Sequence, residues 1–200
     1  MFTGLIQEVG SIVKVEVASR TKYLYIYAGS LHNELSAGDS VSCNGVCLTV
    51  REQLKDSFVC DVSEHTLKTS NLSFLKVHDI VNLESSLKMG DKIGGHLVYG
   101  HVDTMVRIRQ ILKKGNCYEF VFSLPQEYRK FVFPTASVAL DGISLTVSEC
   151  RADSFSVSII PHTFQNTNLS RRRVQNQVNV EFDYIVKSLW AISEKRKSYF

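Results

Sequence analysis

Proline is rare in this chain, at three residues in 200, and tryptophan occurs once. No apolar run approaches the ~18 residues that a membrane-spanning helix requires. The opening stretch MFTGLIQEVG has no basic region and reaches Glu8 before an apolar run long enough for a secretory signal builds up. The chain therefore reads as soluble and cytoplasmic, with no membrane partner. Charge of one sign is also scarce: 23 Lys and Arg against 20 Asp and Glu leave a net +3. The basic residues gather in Arg171, Arg172, Arg173 and the Glu194-Lys195-Arg196-Lys197 stretch, a pattern of solvated loops and tails that excludes a nucleic-acid stripe. Cysteine is present but unpaired in pattern: Cys43, Cys47, Cys60, Cys117 and Cys150 make an odd number with no C-x-x-C. That usage fits a reducing compartment rather than a disulfide framework. Zinc is disfavoured too. If Cys43 and Cys47 lay on one extended strand they would stand about 13 Å apart at ~3.3 Å per residue, and no second ligand pair accompanies them, although a tight turn at Asn44-Gly45 would shorten the gap.

What is present is ordinary globular material, 44% apolar and 22% charged, enough for one large domain or two of roughly 95 residues. An internal repeat decides for two. DSVSCNGVCLTV (39–50) lies over ASVALDGISLTV (136–147), EHTLKTSNLS (64–73) over PHTFQNTNLS (161–170), and VNLE (81–84) over VNVE (178–181), all at an offset of 97. Ser40 falls on Ser137, Gly45 on Gly142, Thr49 on Thr146, His65 on His162 and Asn71 on Asn168. One residue of slippage sets MFTGLIQEVGSI (1–12) over LVYGHVDTMVRI (97–108), with Gly4 on Gly100 and Leu5 on His101. The stretch GGHLVYGHVD (94–103) thus closes one repeat and opens the next, with Gly94 and Gly95 giving a permissive bend. The boundaries read as a first domain over 1–96, a second over 97–184, and a terminal helix with tail over 185–200.

Each half reads as all-β. KYLYIYA alternates Tyr23, Tyr25 and Tyr27 against Leu24 and Ile26, and CYEFVFSL alternates Tyr118, Phe120 and Phe122 against Glu119, Val121 and Ser123. This period of two marks half-buried strands, and the turn signals Ala37-Gly38-Asp39, Asn44-Gly45 and Asp141-Gly142 recur at short spacing. Small closed barrels remove the sticky edges such strands would otherwise expose. The last segment, DYIVKSLWAISEKRKSYF, carries Ile185, Leu189 and Ile192 at helical spacing, widened by Val186 and Trp190, and suits an oligomer contact.

MFTG at the N-terminus, NGVCLTV, GGHLVYGHVD, DGISLTV and the TSNL/TNLS blocks together resemble the riboflavin synthase family, over essentially the whole chain and in order. The resemblance implies two six-stranded Greek-key β-barrels and a homotrimer whose active site lies between barrels of adjacent subunits. It also implies a possible association with lumazine synthase. The implied reaction is the dismutation of two molecules of 6,7-dimethyl-8-ribityllumazine by four-carbon transfer, giving riboflavin and 5-amino-6-(D-ribitylamino)uracil with no metal or cofactor. Duplication then has a purpose, since two copies of one substrate call for two similar surfaces.

The 7-methyl group of one lumazine must lose a proton, and a base titrating near neutrality suits the task. His101 is the candidate, as the ordinary imidazole pKa is ~6.5. The resemblance places Ser40 and Cys47 at the reacting site as hydroxyl and thiol, and brings Phe2 and Thr3 over the reacting ring, with Phe2 offering a stacking face. For the ring and ribityl chain it implies, in the first half, Gly4, Leu5, Ile6, Cys47, Leu48, Thr49 and the segment Asp61, Val62, Ser63, Glu64, His65, Thr66. In the second half it implies Gly100, His101, Val102, Ser144, Leu145, Thr146 and the segment Ser158, Ile159, Ile160, Pro161, His162, Thr163. Asp141 and Asp183 also match, in supporting polar roles. The chain departs from the family at Thr135 and Ala136, where a lysine followed by glycine is common, which puts a contact between subunits in doubt.

Among the remaining histidines, His96 reads as a hydrogen-bonding residue of the junction, and His32 and His78 as surface loop residues. Cys43, Cys60, Cys117 and Cys150 read as small buried groups. The alternative function is a non-catalytic lumazine- or flavin-binding protein on the same scaffold. Retention of Phe2, Ser40, Cys47, His101, Ser144 and Thr146 together favours the enzyme.

Overall fold

The computed structural model describes residues 1–197, with side chains to residue 195. The end of the tail, 198–200, lies outside the described residues. The first half forms β1 (Glu8–Ala18), β2 (Thr21–Tyr27), β3 (Ser40–Cys43), β4 (Val46–Gln53), β5 (Ser57–Val62), a short helix α1 (Glu64–Thr69) and β6 (Ile80–Ser85). The second half repeats it with β7 (Thr104–Lys114), β8 (Cys117–Ser123), β9 (Ser137–Leu140), β10 (Ile143–Cys150), β11 (Ser154–Ile159), α2 (Pro161–Gln165) and β12 (Gln177–Phe182). Helix α3 (Tyr184–Lys197) follows. Each set of six strands closes into an antiparallel barrel in the order β1-β2-β5-β4-β3-β6, and β7-β8-β11-β10-β9-β12 reproduces that order.

The alternation in sequence becomes inside and outside. Leu24 and Ile26 fill the first barrel, and Phe120 and Phe122 the second. Tyr25 turns outward, where its hydroxyl donates to Glu16 at 2.8 Å, so the β2 tyrosines clothe the barrel rather than pack it. Register shifts fall at matching places, between Ile12 and Lys14 on β1 and between Ile108 and Gln110 on β7. Such bulges sharpen the local bend that closure of a small barrel needs. Cys43 and Cys60 are buried, whereas Cys117 and Cys150 are only half-buried because they sit at strand ends. His32 is not a surface residue: it is buried, and its Nε2 lies 2.7 Å from the Leu54 carbonyl.

The Asn44-Gly45 and Asp141-Gly142 turns have positive φ at both positions, 46° and 76° in one, 46° and 81° in the other. This is the two-residue hairpin geometry that Asn-Gly and Asp-Gly favour. The two turns meet face to face, so closely that a Cβ on Gly45 would lie 2.6 Å from the Gly142 nitrogen. A buried polar network surrounds them. Asn71 and Asn179 from opposite barrels bond each other and reach the turns, as do Asn168 and Asn82. Asp141 is fully buried within it, accepting from Asn71 Nδ2 at 2.7 Å, Asn179 N at 2.9 Å and Asn168 Nδ2 at 2.8 Å, and pairing with Arg172.

One turn is strained. Gly38, at φ +97°, donates its N–H to the Val50 carbonyl; Thr135 occupies the equivalent place at φ 72° and donates to Val147. A β-branched residue is unfavourable in this region, where glycine is at ease. Thr135→Gly is therefore expected to raise unfolding stability by about 1 kcal/mol, read from urea denaturation. An unchanged or lowered midpoint would mean that the threonine makes a compensating contact.

Helix α3 packs on the second barrel through Val186 and Trp190. Lys130 lies over the Trp190 ring at 3.5 Å, and Lys187 bridges to Asp103 at 2.8 Å. The stripe Ile185, Leu189 and Ile192 faces away from the barrel and is exposed.

Candidate active site

Two positive-φ glycines place the candidate residues. Gly4 (φ +76°) lies against Ser144 of the second barrel, its carbonyl accepting from Ser144 N at 2.8 Å. Gly100 (φ +78°) lies against Cys47 of the first barrel, its carbonyl accepting from Cys47 N at 2.9 Å. The leading segment of each half thus crosses to the other barrel. Ile6 packs against the second core and Val102 against the first. The crossing regroups the candidate residues, which the repeat alone assigns to their own halves: the segment of His101 and Val102 lies on the barrel of Cys47, Leu48 and Thr49, and that of Leu5 and Ile6 on the barrel of Ser144, Leu145 and Thr146. Contact is close enough to demand glycine, because a Cβ on Gly100 would fall 2.5 Å from Cys47 Cβ and one on Gly4 2.6 Å from Ser144 Cβ.

Two pseudo-equivalent half-sites result. In the first, Cys47 and Thr49 project outward from β4 opposite Ser42 and Ser40 of β3, Ser40 pairing with Thr49 and Ser42 with Cys47. Asp61 and Ser63 are exposed at the end of β5, where Ser63 Oγ caps α1 by accepting from Thr66 N at 3.2 Å. Glu64 is drawn to Lys68 at 2.7 Å, and His65 is exposed on α1. His101 is exposed, and its ring makes no hydrogen bond among the described residues; the Tyr99 ring stands 6.2 Å from it. In the second half-site Ser144 and Thr146 face outward from β10, with Ser158 and Ile160 exposed at the end of β11 and Pro161, His162 and Thr163 opening α2. His96 Nδ1 lies 2.7 Å from Ser144 Oγ, and burial pushes its imidazole pKa down.

Several side chains expected at the ligand are buried or engaged in the fold. Leu48, Val62 and Ile159 point into the barrel cores, so only their backbones face outward. Phe2 is 0% exposed. It packs with Val98, Ala139 and Cys47, and it pairs with Val98 through backbone bonds of 2.7 and 3.0 Å. Its ring buttresses Cys47 and offers no open stacking face. Asp141 lies inside the interface between the barrels, where the Asn44-like turn places it. Asp183 caps α3 by accepting from Ile185 N at 2.8 Å. Thr135 sits exposed on its turn.

Sequence reasoning missed two buried carboxylates. Glu84, on β6, accepts from Thr3 N and Thr3 Oγ1, both at 2.7 Å, and from Gly4 N at 3.1 Å. Glu181, on β12, accepts from Tyr99 N at 2.7 Å, Gly100 N at 2.8 Å and His101 N at 2.9 Å. Burial pushes both carboxyl pKa values up, and the N–H donors oppose it. The repeated VNLE and VNVE blocks held the signal. No cluster of three or more metal-ligating side chains occurs among the described residues.

A family model described as the lumazine binding domain matches twice, over residues 3–86 and 99–183. Riboflavin synthase of Chlamydia pneumoniae is 40% identical over 188 residues, 94% of this chain and 92% of that protein. The Bacillus subtilis (strain 168) riboflavin synthase is 34% identical over 195 residues, 98% of this chain and 91% of that protein. A solved structure of LumP complexed with riboflavin superposes with a TM-score of 0.86 at 22% identity, over 91% of this chain and 99% of that one, a likeness of fold.

Proposed function

The chain belongs to the riboflavin synthase family, with a lumazine-binding domain in each half, and we propose that it forms riboflavin by dismutation of two 6,7-dimethyl-8-ribityllumazine molecules. The observation that carries this reading is the pair of half-sites, alike in backbone and unlike in chemistry: Cys47 with His101 on one barrel, Ser144 with Leu5 and His96 on the other. Two like substrates need like surfaces, and unlike roles need unlike side chains.

In this reading one lumazine loses a proton from its 7-methyl group to His101. The resulting anion, delocalised into the ring, attacks the second lumazine, which is activated by addition of a nucleophile that Cys47 and Ser40 supply or position. Thr49, Asp61, Ser63 and Thr66 offer hydrogen bonds to one ribityl chain, and Thr146, Ser158 and Thr163 to the other. A four-carbon unit passes between the rings, and the two substrates together contain the atoms of riboflavin and 5-amino-6-(D-ribitylamino)uracil. Holding both rings in register turns a bimolecular encounter into an effectively intramolecular one, a gain of about 7–11 kcal/mol in the best-oriented cases. The enzyme is a group transferase acting as a cytoplasmic homotrimer, the first half-site of one copy facing the second half-site of its neighbour, with the exposed Ile185, Leu189 and Ile192 face of α3 joining copies.

Incubating the purified chain with the lumazine alone tests the reading. Riboflavin should appear at half the amount of lumazine consumed, followed by absorbance. Tight binding without turnover would instead identify a carrier.

A further inference from the structure

We propose that Glu181 is the positioning residue for His101, and that Glu84 serves the opposite half-site in the same way; the proposal rests on the reading of His101 as the base. Each carboxylate lies on the last strand of one barrel and grips the loop that completes the half-site of the other. Glu181 belongs to the second barrel, yet the loop it holds carries His101 to Cys47 of the first. Glu84 belongs to the first barrel and holds Thr3 and Gly4, and Gly4 lies against Ser144 of the second.

Each loop is clamped from two sides. The carboxylate takes its N–H groups, and a backbone N–H of the facing barrel takes the glycine carbonyl, at 2.9 Å for Gly100 and 2.8 Å for Gly4. The two clamps differ at one atom. The His101 amide donates directly to Glu181 Oε2 at 2.9 Å, whereas the Leu5 amide donates to Thr3 Oγ1 at 3.2 Å, which in turn donates to Glu84. At this position the shorter bond, 2.9 Å against 3.2 Å, falls on the loop that carries His101. His101 makes no side-chain hydrogen bond within the described residues, so its ring is placed through its backbone, and Glu181 holds that backbone. A carboxylate suits this task because it only accepts; a carboxamide would turn an N–H toward one of the three donors.

The test is a double-mutant cycle on the full chain, with Glu181→Gln, His101→Ala and both together, read by steady-state riboflavin formation. Glu181→Gln should lower kcat about tenfold with KM for the lumazine within twofold. In the His101→Ala background it should lower kcat by less than twofold, because the group it positions is gone. Glu84→Gln, acting on a loop without a base, should raise KM several-fold more than it lowers kcat. Multiplicative losses in the cycle, or equal effects of the two glutamates on kcat and KM, would overturn the proposal and leave Glu181 a fold residue. If Glu181→Gln does not fold, Glu181→Asp carries the same cycle. A wild-type chain that makes no riboflavin would refute the functional reading itself, and the His101 imidazole NMR signal would still report whether Glu181→Gln moves the ring: a shift supports positioning, and an unmoved signal overturns it.

Discussion

Riboflavin formation by a His101→Ala variant is expected to fall on the order of 10²-fold at saturating substrate, the loss typical of removing a positioned general base. The argument is geometric. His101 is exposed, its amide is fixed by Glu181, and its neighbour Gly100 is seated on Cys47. Proton removal from a carbon-bound methyl is slow without a base held in place, and water reaching an open surface is a poor substitute. KM should change little, since the backbone that seats Val102 and Gly100 stays. Cys47→Ser should be milder, about tenfold, because Ser144 shows that a hydroxyl fits the equivalent place on the other barrel. Turnover by His101→Ala within twofold of wild type would remove His101 from the chemistry.

Asp141→Ala should destabilise the chain by about 3–5 kcal/mol, as expected when one partner of a buried pair is deleted. The carboxylate is fully buried and answers Arg172, Asn71 Nδ2, Asn168 Nδ2 and Asn179 N together. Truncation would leave those donors facing a void at the contact between barrels. Asp141→Asn separates the terms. In the first barrel Asn44 Nδ2 donates to Asn71 Oδ1 at 3.4 Å, whereas the corresponding Asn168 Oδ1 has no partner among the described residues, because a carboxylate at 141 has no proton to give. With the Asn168 amide turned over, an asparagine at 141 would donate to Asn168 Oδ1, keep Oδ1 for Asn71 and Asn179, and strand Arg172, so the loss should shrink to about 1–2 kcal/mol. Urea denaturation reads both. A midpoint for Asp141→Ala matching the wild type would show that the network does not hold the barrels together. Because the half-sites are shared between barrels, activity should fall with stability as the urea concentration rises.

Much of the architecture was legible in the chain. Alternation at Leu24 and Ile26, and at Phe120 and Phe122, separates core from surface because side chains of a strand alternate with period two. The offset of 97 identifies two copies of one fold, and the Asn44-Gly45 and Asp141-Gly142 pairs mark the hairpins. The motifs from MFTG to DGISLTV led to the family. These are local or repeated signals, and they survive in a one-dimensional reading.

The arrangement of the site was not legible to the same degree. A repeat shows that Gly4 matches Gly100, but not which barrel each glycine touches; a segment that stays and one that crosses have the same sequence pattern. Period two likewise assigns Phe2 no face, since a residue before the first strand has no alternation to obey, and burial against Val98 and Ala139 depends on residues about a hundred positions away. Asp141 reads as polar and available until the opposite turn closes over it. The glutamates of VNLE and VNVE look like strand residues until the loops they hold fold back on them. Strands and turns follow from interactions between near neighbours and the duplication from the repeated blocks, and these the sequence by itself determined. Which loop completes which half-site was decided only by the tertiary structure, because it depends on contacts such as Gly4 to Ser144 and Gly100 to Cys47 that form after the two barrels have met.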